Sequence, residues 1–499
     1  MSANSQIAKG AIISYVAIFL NITITFFYTP WMIRQIGMSD YGLYSLVGTF
    51  IFYFIIDFGL SGAITRFIAK YRAERNQRQV EKMLGLTTKV YLGIDAVILL
   101  VLFVCYFFLK DIFTGLTPEE IDKLRGLYVV AGFFSVISFV WHPMNGAMMA
   151  YEYFVENKLV DMCHKVGTVL LIVLALMFNG GVYELVFITG AVGFLSSLLK
   201  FIIFKRKSHI QINWQYSNHA ELKNLMGFSM WVFLTSMAQR FRLTMMPTIL
   251  GILTNSTEIS IFALGMTIEA MIYTLSSALN GLFLPKVTRM IHNQEGSRAL
   301  TDLMIRVGRL QLYIIALILC GFWMAGRPFL QLWVGENFTM SYYVVILLNV
   351  TNIVSLTQHI AGDVVYAENK VRFTATLTIV SSALSLVGSV ILAPRYGAVG
   401  CAASFCLAMT VNLVWLNVFY KKNLNIEVGR FFRECHGRIL PLILLVSVVF
   451  ISLQYVFVLD EWIKLIGYIV VYVVVYVLIL FVFLLNQEER HLFYSIKKI

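Results

Sequence analysis

The sequence predicts an all-α polytopic membrane protein, and three observations support this fold class. Of the 499 residues, 59% are hydrophobic and only 13% are charged, with a mean hydropathy of +0.78. Apolar runs long enough to cross the ~30 Å hydrocarbon core of a bilayer recur from one end of the chain to the other. They leave no polar stretch long enough for a soluble domain of about 100 residues. Finally, the basic residues are divided unequally between alternate connecting segments.

Fourteen transmembrane helices are predicted from the apolar runs, with short connections between them. Their limits are 8–32, 42–66, 84–109, 126–150, 158–179, 183–204, 225–253, 259–285, 303–326, 341–366, 371–393, 397–420, 438–459 and 464–486. An even number of spans places both termini on the same side of the membrane.

The distribution of basic residues gives the orientation. Of the 39 lysines and arginines, roughly 27 fall on the inner side and about 7 on the outer side when both termini are cytoplasmic. Five remain within spans: Lys89, Arg240, Arg242, Arg306 and Arg309. The net charge of +12 is therefore a topology signal, and we expect no nucleic-acid partner.

An internal repeat at an offset of about 216 to 218 residues runs through the first twelve spans. The matched pairs include Pro30 with Pro247, Lys89 with Arg306, Gly146 with Gly362, and Gly181 with Gly397. Each half holds six spans, so the two lobes share one orientation and are parallel. We predict an N-lobe over 1–212, a C-lobe over 213–424, and two extra helices with a cytoplasmic tail over 425–499. Two such lobes facing each other indicate a transporter with a central cleft.

Arg240 and Arg242 lie near the middle of the seventh predicted span. An arginine at a helix centre costs about 2.5 to 3.5 kcal/mol to insert, so we expect protein, water or an anion beside this pair. Residues two apart on a helix point ~200° away from each other. We therefore expect one arginine to line a hydrophilic cavity and the other to pack against a neighbouring helix. The alternative is that both are structural ion-pair partners.

Three carboxylates are also placed within spans, namely Asp57, Asp95 and Glu269. A carboxylate at such depth is either paired with a cation or carries protons. They are candidates for ion coupling, or for pairing with Arg240 and Arg242.

The remaining cavity candidates are Lys89, Arg306 and the adjacent residues His142 and Pro143. Lys89 and Arg306 are cavity cations or snorkelling side chains near the inner face. His142 precedes Pro143 in the fourth span. The proline indicates a hinge there, and the alternative is that His142 is an interior histidine held by hydrogen bonds.

No enzymatic pattern is found in the sequence. There is no phosphate-binding ATPase loop, zinc pattern or nucleophile elbow, and the six cysteines lack metal-type spacing. We expect no cofactor, no metal and no enzymatic activity, which leaves an ion gradient, the membrane potential or mass action to drive transport.

Two pairs of motifs resemble a known family. Met38-Ser-Asp-Tyr-Gly-Leu-Tyr-Ser-Leu46 and Asp57-Phe-Gly-Leu-Ser-Gly-Ala-Ile-Thr-Arg66 resemble the first two helices of the polysaccharide exporters, the Wzx-type O-antigen flippases. Glu368-Asn-Lys370 and Pro394-Arg-Tyr-Gly-Ala-Val-Gly-Cys-Ala-Ala403 resemble helices eleven and twelve of that family. It belongs to the multidrug/oligosaccharidyl-lipid/polysaccharide (MOP) superfamily, and the resemblance implies a MATE-like fold with two additional helices.

The resemblance implies a function and partners. It implies a flippase that moves an undecaprenyl-diphosphate-linked oligosaccharide to the outer leaflet of the bacterial inner membrane, for lipopolysaccharide (O-antigen), capsule or exopolysaccharide synthesis. The implied partners are this lipid-linked oligosaccharide, membrane lipids, H⁺ or Na⁺, and a polysaccharide polymerase with its assembly proteins. The family's cationic cleft is consistent with Arg240 and Arg242.

Four alternatives stay open. A cation-coupled multidrug exporter of the same superfamily requires an acidic, aromatic pocket and has twelve spans. A flippase for a peptidoglycan lipid precursor has closely similar chemistry. A membrane-embedded polymerase or ligase needs larger outer loops, and a non-transporting scaffold for assembly enzymes tolerates neutral substitutions in the cavity.

Overall fold

A computed structural model describes residues 3–52, 60–210, 212–216, 218, 237, 241–277, 283–368, 370–454, 457–486 and 489. Every regular element in these ranges is a helix, which confirms the all-α prediction. The chain divides into two compact units, one formed by residues 1–263 with 393–397, and the other by 264–392 with 398–499. The predicted lobe boundaries stay a prediction.

The first unit contains helices α1 to α9 and the beginning of α10. The first eight are α1 (Ala3–Ile36), α2 (Met38–Phe52), α3 (Leu60–Ala73), α4 (Gln77–Ile112), α5 (Pro118–Phe139), α6 (Pro143–Ala150), α7 (Phe154–Met177) and α8 (Val182–Ser208). Helix α9 (Phe241–Leu253) and the beginning of α10 (Ser256–Ser276) complete it.

The second unit contains the end of α10 and the helices after it. These are α11 (Leu284–His292), α12 (Ser297–Trp333), α13 (Ser341–Asn349), α14 (Asn352–Thr357), α15 (His359–Ala367), α16 (Val371–Asn423), α17 (Val428–Phe431), α18 (Gly437–Leu453) and α19 (Trp462–Ile479). A single 3₁₀ turn covers Glu336–Phe338, and π-helical turns cover Phe432–His436 and Leu480–Leu484. Helix α12 is the core of this unit, because its most apolar stretch is largely buried.

Glu120 holds three helix starts together in the first unit. Thr117 and Glu120 cap each other's backbone N–H groups at the start of α5, and Pro118 occupies the first turn, where its missing N–H costs nothing. The same Glu120 carboxylate accepts hydrogen bonds from Ser39 at the start of α2, at 2.7 Å, and from Ser256 at the start of α10. One capping side chain thus fixes the ends of α2, α5 and α10.

One predicted span and one long helix are interrupted where the sequence contains proline or glycine. The span 126–150 is interrupted between Phe139 and Pro143, where α5 ends and α6 begins. The long α16 contains Pro394 and has a non-helical backbone at Gly397, with φ 53° and ψ −134°. This break falls at the predicted boundary between the eleventh and twelfth spans.

Ten helical segments in the described ranges are long and apolar enough to cross a membrane. The pairs α5 and α6, α13 and α14, and α17 and α18 each count as one segment, as does the whole of α16. The chain is thus a multi-pass membrane protein. Of the predicted span 225–253, only residue 237 and the segment 241–253 are described. The count of fourteen spans stays a prediction.

We expect Gly397→Ala to destabilise the protein. The positive φ of Gly397 is a conformation that a side chain rarely adopts, and an added Cβ would overlap the carboxylate of Glu258. Such backbone strain costs about 1 to 3 kcal/mol, so the midpoint of thermal unfolding in detergent should fall. Gly167→Ala is the matched control, since its Cβ would lie 4.0 Å from Val192, an ordinary contact. Equal midpoints for the two variants would contradict the argument.

Candidate functional site

A cavity of about 820 Å³ lies within the second unit, and we call it the basic cavity. It is bounded by α11, the first half of α12, the segment around α17 and the chain after α19. Its charged lining residues are Lys286, Arg289, Arg306, Arg309 and Arg430, with Glu295, Asp302, Glu434 and Glu489. Five basic and four acidic side chains thus meet around one polar space.

Arg309 and Glu489 form a buried ion pair at the wall of the basic cavity. Only 5% of Arg309 and 2% of Glu489 are exposed. The Arg309 guanidinium donates to both carboxylate oxygens, with Nε to Oε1 at 2.7 Å and Nη2 to Oε2 at 3.0 Å. It also donates to the backbone carbonyls of Glu434, at 3.1 Å, and Leu484, at 2.8 Å. This pair therefore ties α12 to the α17 segment and to the end of the last helix.

Glu489 is ionised in this arrangement. Burial raises the pKa of the Glu489 carboxyl, but the hydrogen bonds from Arg309 and from the backbone N–H of Asn486 outweigh it and hold the pKa below its ordinary value. A lowered pKa contributes stability above the unfolded pKa, and this stability is lost as pH falls through the folded pKa.

Arg430 forms ion pairs with two further carboxylates of the lining, Asp302 and Glu434. Its guanidinium lies 2.6 Å from Asp302 and 2.9 Å from Glu434, and it also reaches Glu427 at 3.4 Å. Together with the Arg309–Glu489 pair, these contacts engage three of the four lining carboxylates with two arginines.

The other charged lining residues are the cations Lys286, Arg289 and Arg306 and the carboxylate Glu295. Lys286 and Arg289 are exposed and form no ion pair with a described residue. Arg306 is exposed on α12. Lys286 and Arg289 lie three positions apart on α11, so their side chains share one helix face. The basic cavity therefore has an excess of positive charge suited to an anionic group such as a phosphate, which arginine binds in bidentate fashion.

A second cavity, of about 550 Å³, lies within the first unit, and we call it the hydroxyl-lined cavity. Helices α2, α5 and α8 supply most of its lining, and α6 and α7 supply one residue each. Lys200 donates to Asn145 Oδ1 at 3.0 Å and to Asp161 Oδ1 at 2.7 Å. The His164 Nδ1 lies 3.4 Å from Ser196 Oγ. This lining is polar but has few full charges.

Arg240 and Asp57 lie outside the described residues. Arg242 is half-buried on α9, and Glu269 is half-buried on α10. Because Arg240 and Asp57 are not described, the predicted pairing of the two arginines with Asp57 and Glu269 stays a prediction.

Lys89 and Asp95 both lie on α4. The Lys89 ammonium donates to the backbone carbonyl of Tyr216 at 3.2 Å. Asp95 is 6% exposed, and its Oδ1 accepts no hydrogen bond from the described part of the chain.

Arg306, His142 and Pro143 are close to the cavities. Arg306 lines the basic cavity and His142 lines the hydroxyl-lined cavity. Pro143 is buried and begins α6. The cavity role of these residues stays a prediction.

Lys286, Arg289 and the Arg309–Glu489 pair were not among the predicted site residues. Sequence reasoning assigned Lys286 and Arg289 to topology. Lys286 and Arg289 are three residues apart, and Asn293 follows four residues later. This spacing indicates one polar helix face and could have marked these residues as site candidates. Arg309 stands three residues after Arg306 on the same helix, but its partner is 180 positions away.

We expect Glu489→Gln to lower stability strongly. Removing one partner of a buried ion pair leaves the other charge uncompensated and costs about 3 to 5 kcal/mol. Replacing both partners, as in Arg309→Met with Glu489→Leu, should cost less than Glu489→Gln alone. Thermal unfolding in detergent compares the two, and a double variant less stable than the single one would contradict the argument.

Comparison with known proteins places this chain in a family. A model of the polysaccharide biosynthesis protein family matches residues 7–291, which is more than half of the chain. A probable low-salt glycan biosynthesis flippase, Agl15 of Haloferax volcanii, is 23% identical over 192 residues, 38% of this chain. That match spans only 40% of the relative's length.

Solved structures show that the fold is shared. The lipid II flippase MurJ in an inward closed conformation has a TM-score of 0.72 at 12% identity, over 94% of this chain and 97% of its own. An inward-facing MATE multidrug transporter of the MOP superfamily has a TM-score of 0.63 at 14% identity, over 82% of this chain and 99% of its own. The fold is thus MurJ-like and MATE-like, and the family resemblance seen in the motifs is confirmed: the chain belongs to the polysaccharide biosynthesis protein family.

Proposed function

We propose that the protein is a flippase that moves an undecaprenyl-diphosphate-linked oligosaccharide from the inner to the outer leaflet of the bacterial inner membrane. The family match, the glycan biosynthesis flippase among its relatives and the fold of a lipid II flippase support this proposal. The product serves surface polysaccharide synthesis, such as O-antigen, capsule or exopolysaccharide.

The excess of positive charge in the basic cavity is the observation that carries the proposal. The lining has five basic and four acidic side chains, and Lys286 and Arg289 form no ion pair with a described residue, so an added anion meets net attraction. A diphosphate is the part of the cargo that hydrocarbon excludes most strongly, and guanidinium groups replace its lost water with charge-assisted hydrogen bonds. The positive-inside rule puts these residues on the cytoplasmic side, where such cargo is loaded.

Transport then requires alternating access of the two lobes, with the sugar in water and the polyprenyl tail in lipid. We assign Arg240 and Arg242 to the path of the diphosphate through the membrane. Asp57, Asp95 and Glu269 are the residues at which H⁺ or Na⁺ would be bound if transport is coupled. No covalent bond changes in this cycle, consistent with relatives that are transporters.

A multidrug exporter shares the fold, but its cationic cargo does not suit this cavity. A positively charged drug would be repelled by Lys286 and Arg289. The sequence and the basic cavity therefore favour an anionic passenger.

We expect the double variant Lys286→Ala with Arg289→Ala to lower flipping of a fluorescent undecaprenyl-diphosphate oligosaccharide in proteoliposomes by about tenfold or more, the effect of losing ~1.4 kcal/mol of binding. Arg298→Ala is the matched control, because Arg298 is an exposed arginine at the start of α12 outside the cavity lining. Flipping by the double variant at the rate of the control, or no flipping by the unchanged protein, would refute the proposal.

We also expect Arg242→Ala, like Arg240→Ala, to lower flipping far more than membrane abundance. A cation that binds the diphosphate can be lost without unfolding the helix, whereas loss of a structural ion pair lowers both quantities. Immunoblotting of membranes measures abundance, and Arg242→Lys tests whether charge alone suffices. A parallel fall in flipping and abundance would assign the arginines a structural role.

A further inference from the structure

The hydroxyl-lined cavity of the first unit differs in chemistry from the basic cavity. Eight of its lining residues carry a hydroxyl group, among them Tyr44, Ser138, Thr189 and Ser196. Apart from two imidazoles, Lys200 is the one lining residue in the described ranges that can carry a charge, and Asp161 neutralises it at 2.7 Å. The cavity thus offers many polar groups and almost no net charge.

The hydroxyl groups are oriented by their own helices. Thr189 donates to the carbonyl of Leu185 at 2.7 Å, Ser138 to that of Phe134 at 2.6 Å, and Ser196 to that of Gly193 at 2.8 Å. Once its hydrogen is used in this way, each oxygen accepts through its two lone pairs. Thr189 accepts from the Tyr44 hydroxyl at 3.4 Å and Ser196 accepts from His164 Nδ1 at 3.4 Å, which leaves each of these oxygens one lone pair for a ligand. The lining therefore presents fixed acceptors to a ligand that donates hydroxyl hydrogens.

Donors stand at one end of the same cavity. The Asn145 Oδ1 accepts from Lys200, which directs the amide NH₂ of Asn145 to other partners. His142 and His164 also line the cavity. Because Ser196 donates to Gly193, the His164 Nδ1–H donates to Ser196 Oγ at 3.4 Å, and Nε2 of the neutral ring is an acceptor. Phe134 supplies an apolar ring to the lining, on which the C–H face of a sugar can pack. Acceptors, donors and an aromatic ring in one neutral pocket are what a sugar ring needs, since it carries both kinds of hydroxyl contact and no charge.

Two glycines leave the space that a ligand would fill. A Cβ built on Gly48 of α2 or on Gly193 of α8 meets no atom within 4 Å, although both residues line the cavity. At Gly190, by contrast, an added Cβ would lie 2.6 Å from the Phe134 ring. Helices α5 and α8 therefore touch at Gly190, and the cavity opens again at Gly193. A volume of about 550 Å³ is within the ~300–1,000 Å³ of ordinary ligand pockets.

We infer that the hydroxyl-lined cavity is a carbohydrate-binding site for the uncharged sugar rings of the cargo. The inference rests on the proposed function for the identity of the cargo. The site itself requires only that the ligand be a neutral oligosaccharide.

Binding of oligosaccharide to the purified full-length protein tests the inference. The probe is the glycan released by mild acid from the lipid-linked cargo, titrated calorimetrically, with inorganic diphosphate as the second ligand. We expect Gly193→Leu, which fills the cavity, to weaken oligosaccharide binding by about tenfold or more and to leave diphosphate binding within about twofold. Gly93→Leu is the matched control, because Gly93 is an exposed helical glycine on α4 whose Cβ also meets nothing.

Thr189→Val keeps the volume and removes one acceptor, and we expect a weakening of about threefold to tenfold. This variant tests the site independently of the folding of Gly193→Leu. Oligosaccharide binding unaffected by Thr189→Val and Gly193→Leu, or no oligosaccharide binding by the unchanged protein, would overturn the inference. If the unchanged protein binds oligosaccharide through this cavity but flips no lipid-linked cargo, the proposed function fails and the carbohydrate site stands.

Discussion

A charged side chain within a membrane protein needs a counter-charge, a polar cavity or water, and this constraint governs the second unit. The helices there are so apolar that few polar groups are near an arginine on α12 to bind its guanidinium. Arg309 meets the constraint through Glu489, Tyr313 and two backbone carbonyls. Arg430 meets it through Asp302, Glu427 and Glu434. Because these pairs engage the nearby carboxylates, the charges of Lys286 and Arg289, which form no ion pair with a described residue, are available to an outside anion.

The two cavities divide the chemistry of a lipid-linked glycan between them. The basic cavity has the cations that a diphosphate requires, while the hydroxyl-lined cavity has neutral acceptors and donors. Such a division offers a physical route to selectivity. Electrostatic attraction does not distinguish one diphosphate lipid from another, whereas a lining of fixed hydroxyl oxygens depends on the arrangement of sugar hydroxyls.

Much of the fold could be predicted because its signals are local. Apolar runs predict helices, Pro143 predicts the break between α5 and α6, and the boundary near 393–397 coincides with the glycine whose backbone leaves the helix. The site was harder to predict, since its interactions join distant parts of the chain. Arg309 and Glu489 are 180 positions apart, and no periodicity connects them. The positive-inside rule already accounts for Lys286 and Arg289. The sequence therefore provided no separate reason to expect that they share a helix face towards a cavity.

The position of Glu489 after the last helix has a consequence for biogenesis. Arg309 lies on α12, but the Glu489 carboxylate and the Leu484 carbonyl that it binds are translated only after α18 and α19. During that interval the guanidinium can have only the Tyr313 hydroxyl and the Glu434 carbonyl of these ligands. The second unit can therefore complete the coordination of Arg309 only after its last helix has been synthesised.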